Sequence, residues 1–279
     1  MTNVNQYGWK ALVGSAVGYA MDGFDLLILG FMLSAISADL NLTPAQSGSL
    51  VTWTLVGAVV GGIVFGALSD RYGRVRVLTW TIVLFAVFTG LCAIAQGYWD
   101  LLIYRTIAGI GLGGEFGIGM ALAIEAWPAK HRAKAASYVA LGWQFGVLAA
   151  ALLTPVLLPH IGWRGMFVVG IFPAFVAWYL RTRLHEPEIF SRKQAALSTQ
   201  KTSKLESFKL LIKDKATTKV SLGVVVLTSV QNFGYYGIMI WMPNFLSKQL
   251  GFSLTKSGLW TAVTVCGMMA GIWIFGRLA

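Results

Sequence analysis

Four charged residues lie within apolar stretches of the sequence, where a charge is energetically costly. Asp22 and Asp25 interrupt the apolar run 11–38, and Arg105 and Glu115 interrupt a later run. On insertion scales, a charged side chain at the centre of a bilayer costs roughly 2.5–3.5 kcal/mol, so such a residue faces a partner or a water-filled cavity. If these runs cross a membrane, the chemistry available to the four residues is reversible ionisation inside it.

Helical geometry predicts that the four side chains lie at related depths. Asp22 and Asp25 are three residues apart, so they share one face of a helix. At about 1.5 Å per residue from Lys10, they lie about 18 Å and about 22 Å deep. Counted from the cytoplasmic end of an antiparallel helix, Glu115 lies about 15 Å and Arg105 about 30 Å deep. A contact between the first and fourth helices is therefore expected.

A carboxylate that pairs with arginine in one state and is protonated in another can carry a proton across a membrane. We predict this role for Asp22, Asp25, Arg105 and Glu115, with Asp25 as the first choice because it is deeper and nearer to Arg105. The alternatives are a static Asp–Arg bridge between the two helices, or a capped kink at Gly23.

The composition is that of a membrane protein. The chain is 56% hydrophobic and 12% charged, with a mean hydropathy of +0.68, whereas soluble domains have roughly 25% charged residues. A spanning helix needs about 20 mostly apolar residues. The sequence predicts an all-α multi-pass protein with eight such helices, near 11–38, 40–69, 77–99, 100–125, 135–163, 165–181, 220–247 and 257–276.

The positive charges are distributed asymmetrically between alternate connections. With the N-terminus inside, cytoplasmic segments hold 18 of the 22 basic residues, and outer connections hold Arg164, Lys248 and Lys256. Basic residues are enriched in cytoplasmic loops. We therefore expect a cytoplasmic N-terminus in a bacterial inner membrane. The net charge of +11 reflects this topology and the lipid bilayer as partner, with no nucleic acid expected.

A long polar segment divides the chain. We predict a six-helix bundle over 1–181, a cytoplasmic linker over 182–217 with an amphipathic helix near 205–213, and helices 7 and 8 over 218–279. A shift of 210 residues aligns nine identities in 29 positions, among them Gly57 with Gly267 and Gly61 with Gly271. Helices 2 and 8 thus look like equivalent parts of two halves, which is a transporter architecture.

The cytoplasmic connection GALSDRYGRVRV, residues 66–77, has turn and charge features. Gly66 and Gly73 suit a tight turn, Asp70 can cap a helix or pair with arginine, and the arginines are expected in water. The simpler interpretation is that these basic residues only keep the connection on the cytoplasmic side of the membrane. The pattern G-x-L-S-D-R-x-G-R also resembles the signature loop of the major facilitator superfamily, where it acts as a conformational latch. That resemblance implies a latch made of Gly66, Asp70, Arg71, Gly73, Arg74, Glu125 and Arg132.

The major facilitator fold implied by this resemblance has two six-helix halves. We expect a complete N-terminal six-helix bundle and the first two helices of the C-terminal bundle, and hence a C-terminally truncated transporter that does not transport alone. Glu125 is expected to form a salt bridge with Arg71, Arg74 or Arg132. Glycines spaced by four residues, at 57 and 61, 62 and 66, and 109, 113 and 117, predict close helix packing.

Further motifs resemble one branch of that superfamily. GYAMDGFD (18–25), GGEFG (113–117), IEAWPAKHRAKA (124–135) and GWRGMF (162–167) are similar to the sialate:proton symporters, and DGFD also occurs in aromatic-acid:proton symporters. The resemblance implies proton-driven uptake of a small organic anion by alternating access. Sialate, lactate-like monocarboxylates and aromatic acids all remain open.

Polar and aromatic residues deep in the spans are candidates for binding substrate. We predict contacts from Gln144 in helix 5 and from Gln231, Asn232, Tyr235 and Tyr236 in helix 7, where QNFGYYG also supplies glycines for a helix break. Interhelical hydrogen bonds are the alternative role for these side chains.

The sequence contains no pattern that indicates an enzyme, a metal site or a cofactor. We expect a monomer whose partners are protons, a small organic anion and lipid. The competing functions are a sugar or drug porter or exporter on the same fold, and a membrane receptor or scaffold that transports nothing.

Overall fold

The computed structural model describes residues 6–182 and 212–278, and within them the regular structure is helical. The helices are α1 (Gln6–Asp39), α2 (Pro44–Tyr72), α3 (Arg74–Cys92), α4 (Tyr98–Glu125), α5 (Arg132–Thr182), α6 (Lys215–Leu250) and α7 (Leu254–Leu278), with a 3-10 turn at Ala129–His131 before α5. Residues 183–211 lie outside the described part of the chain, and with them most of the predicted linker and of its amphipathic helix.

All seven helices are long and apolar enough to cross a membrane. At 51 residues, α5 is too long for one crossing, and it breaks at Gly162, where φ is 64° and ψ is 177°. That left-handed φ suits glycine because it has no Cβ. The break divides α5 into arms at 132–161 (α5a) and 163–182 (α5b), each long enough to span. The predicted all-α multi-pass fold is confirmed, and its eight spans correspond to seven helices.

Local sequence signals account for several helix ends. Thr43 and Gln46 form a reciprocal capping box at the start of α2. Gly73, with φ 104°, joins α2 to α3. Asp214 caps α6 by accepting hydrogen bonds from Thr217, which hold the pKa of its carboxyl below the ordinary value. The placement of Gly66 in this turn was wrong, because α2 continues to Tyr72.

Glycines let α2 and α4 cross in backbone contact. A Cβ at Gly61 would overlap the carbonyl oxygen of Ile110, and a Cβ at Gly113 would overlap that of Ala58. Gly117, one turn further along α4, has nothing within 4 Å of a Cβ, and the same holds for Gly66. The predicted small-residue packing is therefore real at some of the glycines and absent at others.

A second glycine crossing holds α1 against α5a. A Cβ at Gly146 would overlap the carbonyl of Ala20, and a Cβ at Gly23 would lie 2.5 Å from the carbonyl oxygen of Trp143. Since α1 runs unbroken from Gln6 to Asp39, Gly23 marks close packing and not a kink. The crossing puts the aspartate-bearing part of α1 in the protein interior, where Asp22 and Asp25 have no exposed surface.

The two helices that the sequence repeat relates both pack against helices of the other predicted half. Helices α2 and α7 begin 210 residues apart, at Pro44 and Leu254. Gly48 of α2 packs on Trp241 of α6, and its counterpart Gly258 of α7 packs on α5a. The predicted break in helix 7 was wrong, since α6 is helical throughout Lys215–Leu250.

Replacing Gly113 by alanine should destabilise the protein, whereas replacing Gly117 should not. The Gly113→Ala methyl group has to displace backbone, a type of overpacking that costs about 1–3 kcal/mol. Gly117→Ala adds a methyl group in open space and gains helix propensity. Thermal unfolding in detergent should therefore show a lower Tm for Gly113→Ala alone, and equal Tm values for the two variants would contradict the crossing.

Candidate functional site

A fully buried charged contact joins α1 to α4. Arg105 Nη1 donates to Asp25 Oδ1 at 3.0 Å, and Nη2 donates to Oδ2 at 2.7 Å. Both side chains are completely buried. A bidentate arginine–carboxylate pair is strong and directional, and burial removes the screening by water. The predicted contact between Asp25 and Arg105 is confirmed.

One nitrogen of Arg105 takes no part in this pair. Arg105 Nε is buried and has no hydrogen-bond acceptor among the described residues. Buried donors are nearly always satisfied in folded proteins, so an unused donor needs an explanation.

Asp22 and Glu115 belong to a second polar cluster, centred on Tyr19. Both carboxylates interact electrostatically with Tyr19, and Asp22 also with Tyr236. The Tyr19 hydroxyl donates to the backbone carbonyl of Phe116. Asp22 is fully buried and Glu115 is 1% exposed, so α1, α4 and α6 bring both predicted acids together with two tyrosines.

Five aromatic rings surround this cluster. Tyr19 and Phe116 lie 5.0 Å apart, as do Phe116 and Trp143. Trp143 contacts Tyr235 and Tyr236 at 6.4 Å, and the two tyrosines pack edge to face. Trp143 Nε1 also donates to Tyr235 Oη at 2.6 Å. We call these five residues the aromatic cluster, and it joins α1, α4 and α5a to α6.

The predicted substrate residues separate into two groups. Gln144 is 6% exposed, its Nε2 donates to Met268 Sδ at 3.7 Å, and its Oε1 has no donor among the described residues. It therefore lies beside the aromatic cluster with unused hydrogen-bonding capacity. Gln231 and Asn232 are exposed, and Asn232 Nδ2 donates to the Thr228 carbonyl on its own helix. The structure does not bring these two to the cluster.

The start of α3 forms a bidentate ion pair with the end of α4. Arg74 Nε donates to Glu125 Oε2 at 2.7 Å and Nη2 to Oε1 at 2.8 Å, which confirms the predicted bridge. Asp70 lies 3.6 Å from Arg74. The expectation of Arg74 in water was wrong, since its side chain is 16% exposed. Arg71 and Arg132 are exposed.

A polar contact at the opposite end has no clear signal in the sequence. Arg164 Nη1 donates to Asp39 Oδ2 at 2.6 Å, and Trp163 Nε1 donates to the same oxygen at 3.1 Å. The Arg164 guanidinium also stacks on Trp163, 4.1 Å from its centroid. This contact ties the end of α1 to the start of α5b.

An apolar groove of about 350 Å³ opens between α1 and the two arms of α5. Its lining is wholly apolar and includes Met21, Phe24, Phe145 and Phe172. It offers no polar group to an anion, so the substrate site is sought at the buried charges and not here.

Residues 15–279 match the sequence pattern of the Major Facilitator Superfamily. The chain is 88% identical to a metabolite transport protein of Haemophilus influenzae, over 100% of this chain and 69% of that protein. It is 31% identical to the cis,cis-muconate transport protein of Acinetobacter baylyi, over 100% of this chain and 68% of that protein. It is 34% identical to the sialic acid transporter NanX of Escherichia coli, over 66% of this chain and 46% of that protein.

Solved structures agree on the fold. A D-xylose-proton symporter superimposes with a TM-score of 0.73 at 23% identity, covering 95% of this chain and 67% of that one. The chain therefore belongs to the Major Facilitator Superfamily. It is a multi-pass membrane transporter of small molecules and not an enzyme.

Removing one partner of the buried pair should cost far more stability than removing both. Asp25→Leu leaves the charge of Arg105 uncompensated, and Arg105→Met leaves the charge of Asp25 uncompensated. Each substitution should lower the free energy of unfolding by about 3–5 kcal/mol. The double variant should recover most of this loss, since an apolar pair of similar size replaces a buried ion pair at little cost. Chemical unfolding in detergent gives the coupling as a double-mutant cycle.

The matched control is the exposed pair Asp39 and Arg164, whose side chains are 47% and 43% exposed. The same cycle there should give a much smaller coupling because water screens the charges. Equal couplings for the two pairs would show that burial does not strengthen the Asp25–Arg105 contact.

Proposed function

We propose that the protein imports a small organic anion together with protons, by alternating access. The observation that carries this proposal is the fully buried bidentate pair between Asp25 and Arg105. A pair of this kind has two stable arrangements, one in which the carboxylate binds arginine and one in which it is protonated. A substrate that competes for the arginine links these arrangements to transport.

The coupling follows from the chemistry of the guanidinium. Its planar fork binds a carboxylate with two parallel hydrogen bonds, and its unused Nε offers a substrate carboxylate a first contact. As the substrate takes over the guanidinium, Asp25 loses its counter-charge in a desolvated setting, which disfavours the ionised form. Asp25 then takes up a proton, so that anion and proton occupy the site together.

Asp22 and Glu115 extend this proposal. Both lie buried beside Tyr19, within the same interior as Asp25. We assign them to the proton-coupling set with Asp25 and Arg105, as carboxylates that receive or relay the proton. Ionisable residues inside membranes commonly form such relays.

The aromatic cluster and Gln144 form the proposed substrate site. They lie between the first five helices and α6, where the halves of such transporters bind substrate. Tyr235 and Tyr236 supply ring faces and hydroxyls, and Gln144 supplies an amide with a free oxygen. Transporters of muconate and sialic acid among the relatives support an anionic substrate. Gln231 and Asn232 stay in the proposal as residues on an exposed face of α6.

Contacts of α6 support a moving interface. In the second half of α6, Ile240 packs on Gly30 of α1, and Tyr235 Oη accepts a hydrogen bond from Trp143. In the first half of this helix, residues 222–233 are exposed. α6 therefore meets the first helices toward the end that we assign to the outside, whereas α7 also packs on α5a near the opposite end, where Gly276 lies against Ser137. At the other end, we propose the Arg74–Glu125 bridge, with Gly66, Asp70, Arg71, Gly73 and Arg132, as the conformational latch.

We also propose a monomer in a bacterial inner membrane with a cytoplasmic N-terminus. Bacterial relatives support this membrane, and the excess of basic residues at the Arg74 end supports the orientation.

Asp25→Asn should abolish proton-driven uptake and spare exchange. Asparagine cannot release a proton, so an inward proton gradient should no longer accumulate a labelled carboxylate in proteoliposomes that contain the transporter with a complete C-terminal bundle. Counterflow between equal pH values needs no net proton movement and should persist. The matched control is Asp100→Asn, since Asp100 lies in the first turn of α4, away from the buried pair.

A panel of labelled sialate, lactate and benzoate tests the substrate class against a neutral sugar. Insensitivity of uptake to the imposed gradient would refute symport, and uptake of the sugar alone would refute an anionic substrate. An Asp25→Asn variant with normal gradient-driven accumulation would remove Asp25 from the coupling.

The orientation predicts which connections are reached from outside. A membrane-impermeant thiol reagent applied to intact cells should label Gln96→Cys, in the exposed connection between α3 and α4. It should label Arg71→Cys, at the end of α2, only after the membrane is opened. The reverse pattern would place the N-terminus outside, and the parent protein gives the background from Cys92 and Cys266.

A further inference from the structure

Two groups besides Asp25 face the Arg105 guanidinium. The ring centroid of Phe167, in α5b, lies 5.7 Å from Arg105 Cζ. Cys92, the last residue of α3, interacts with the guanidinium through its sulfur. The side chains of Phe167, Cys92 and Arg105 have no exposed surface. The Arg105 cation is thus contacted by Asp25 of α1, Cys92 of α3 and Phe167 of α5b. The transport cycle proposed above uses only Asp25.

The ring face is the contribution that does not depend on protonation. A cation within about 6 Å of an aromatic face is attracted by the ring quadrupole, and more strongly where water is excluded. While Asp25 is ionised, the carboxylate compensates most of the arginine charge. Once Asp25 is protonated, the guanidinium keeps its charge, and whenever the substrate carboxylate is absent it has no anionic partner, so the ring becomes more important in that state.

Cys92 is oriented so that it can help the Phe167 ring to stabilise the Arg105 guanidinium. Its thiol donates to the Phe88 carbonyl at 3.2 Å, so the sulfur lone pairs remain for Arg105. Sulfur is a weak acceptor, and its contribution is smaller than that of the ring.

We propose that Phe167 is a positioning residue that holds the Arg105 guanidinium while Asp25 is protonated, and that it thereby sets the pH at which proton-coupled uptake is half-maximal. This inference rests on the proposed function and deepens it. Without the ring, the protonated state of Asp25 leaves a less stabilised cation. Protonation then requires a lower pH, so the pH profile shifts to more acidic values.

The other ionisable groups nearby stay constant in the test. Asp25 from α1 and Cys92 from α3 face Arg105 directly. Asp22 from α1 and Glu115 from α4 face Tyr19, and Asp22 also faces Tyr236 from α6. Every variant below retains all of them, so a shift in the profile reports the ring at position 167.

The test measures initial uptake of a labelled carboxylate against external pH in proteoliposomes. Phe167→Leu should move the half-maximal pH downward by up to about one unit, which is a tenfold change in proton affinity. The matched control is Phe85→Leu, since Phe85 is 1% exposed and lies against Gly111 of α4. It should lower stability to a similar degree and leave the half-maximal pH unchanged.

A second set of variants keeps the shape of the site. Phenylalanine carrying one, two or three fluorine atoms, incorporated at position 167, weakens the negative ring face with little change in volume. The half-maximal pH should fall stepwise with the number of fluorine atoms, and Phe167→Tyr should restore the parent profile.

The outcomes separate the two proposals. A parent protein that follows the proton gradient, with unshifted profiles for Phe167→Leu and for the fluorinated series, overturns the role of Phe167 and leaves symport intact. Equal shifts for Phe167→Leu and Phe85→Leu overturn it as well, because they would reflect general loosening. A parent protein insensitive to the gradient overturns both proposals.

Discussion

The buried pair between Asp25 and Arg105 constrains how α1 and α4 pack against one another. Two charges removed from water attract one another strongly only when their geometry is good, and a lone buried charge is severely destabilising. The two hydrogen bonds of 3.0 Å and 2.7 Å satisfy the carboxylate while leaving one arginine nitrogen without an acceptor among the described residues. In the proposed cycle, this nitrogen is the first contact of a competing anion.

Backbone packing makes this contact possible. Helices without large side chains at their crossings approach closely, and Gly61 and Gly113 bring α2 against α4 while Gly146 brings α5a against α1. The hydrophobic effect does not drive helices together within lipid, so van der Waals packing at such crossings holds them together instead. They hold α4 against α2 and α1 against α5a, in the bundle where Asp25 of α1 meets Arg105 of α4. The glycines thus belong to the packing around charges that they do not touch.

The sequence predicts the main contacts because charge in an apolar run has few acceptable positions. Counting residues along antiparallel helices places the four buried charges at related depths, and the structure shows that Asp25 is the partner of Arg105. The sequence leaves three arginines as possible partners of Glu125, and the structure shows that Arg74 is the partner. The first of these predictions depends on the energetic penalty for a charge inside a membrane. The eight spans follow equally well from hydropathy, since backbone groups in lipid must be satisfied within helices.

Other features lack such a constraint and were missed or misplaced. Phe167 and Cys92 are ordinary apolar residues in sequence, and only the tertiary structure shows that they face a guanidinium. Glycines at equal spacing differ in role because the neighbouring helix, and not the spacing, decides what a Cβ would meet: Gly113 is in backbone contact and Gly117 is not. The glycines of QNFGYYG resemble a helix break, yet α6 retains its hydrogen bonds through them.

The central claim is that Asp25 exchanges arginine for a proton when the substrate binds. Infrared difference spectroscopy of the reconstituted protein, with and without a saturating transported carboxylate, observes this directly through the stretching band of a protonated carboxyl group. The account predicts that substrate produces this band in the parent protein and in Asp100→Asn, and that the band is missing in Asp25→Asn. A substrate-bound parent protein without the band, or an identical band in Asp25→Asn, would show that Asp25 remains an ionised partner of Arg105 throughout.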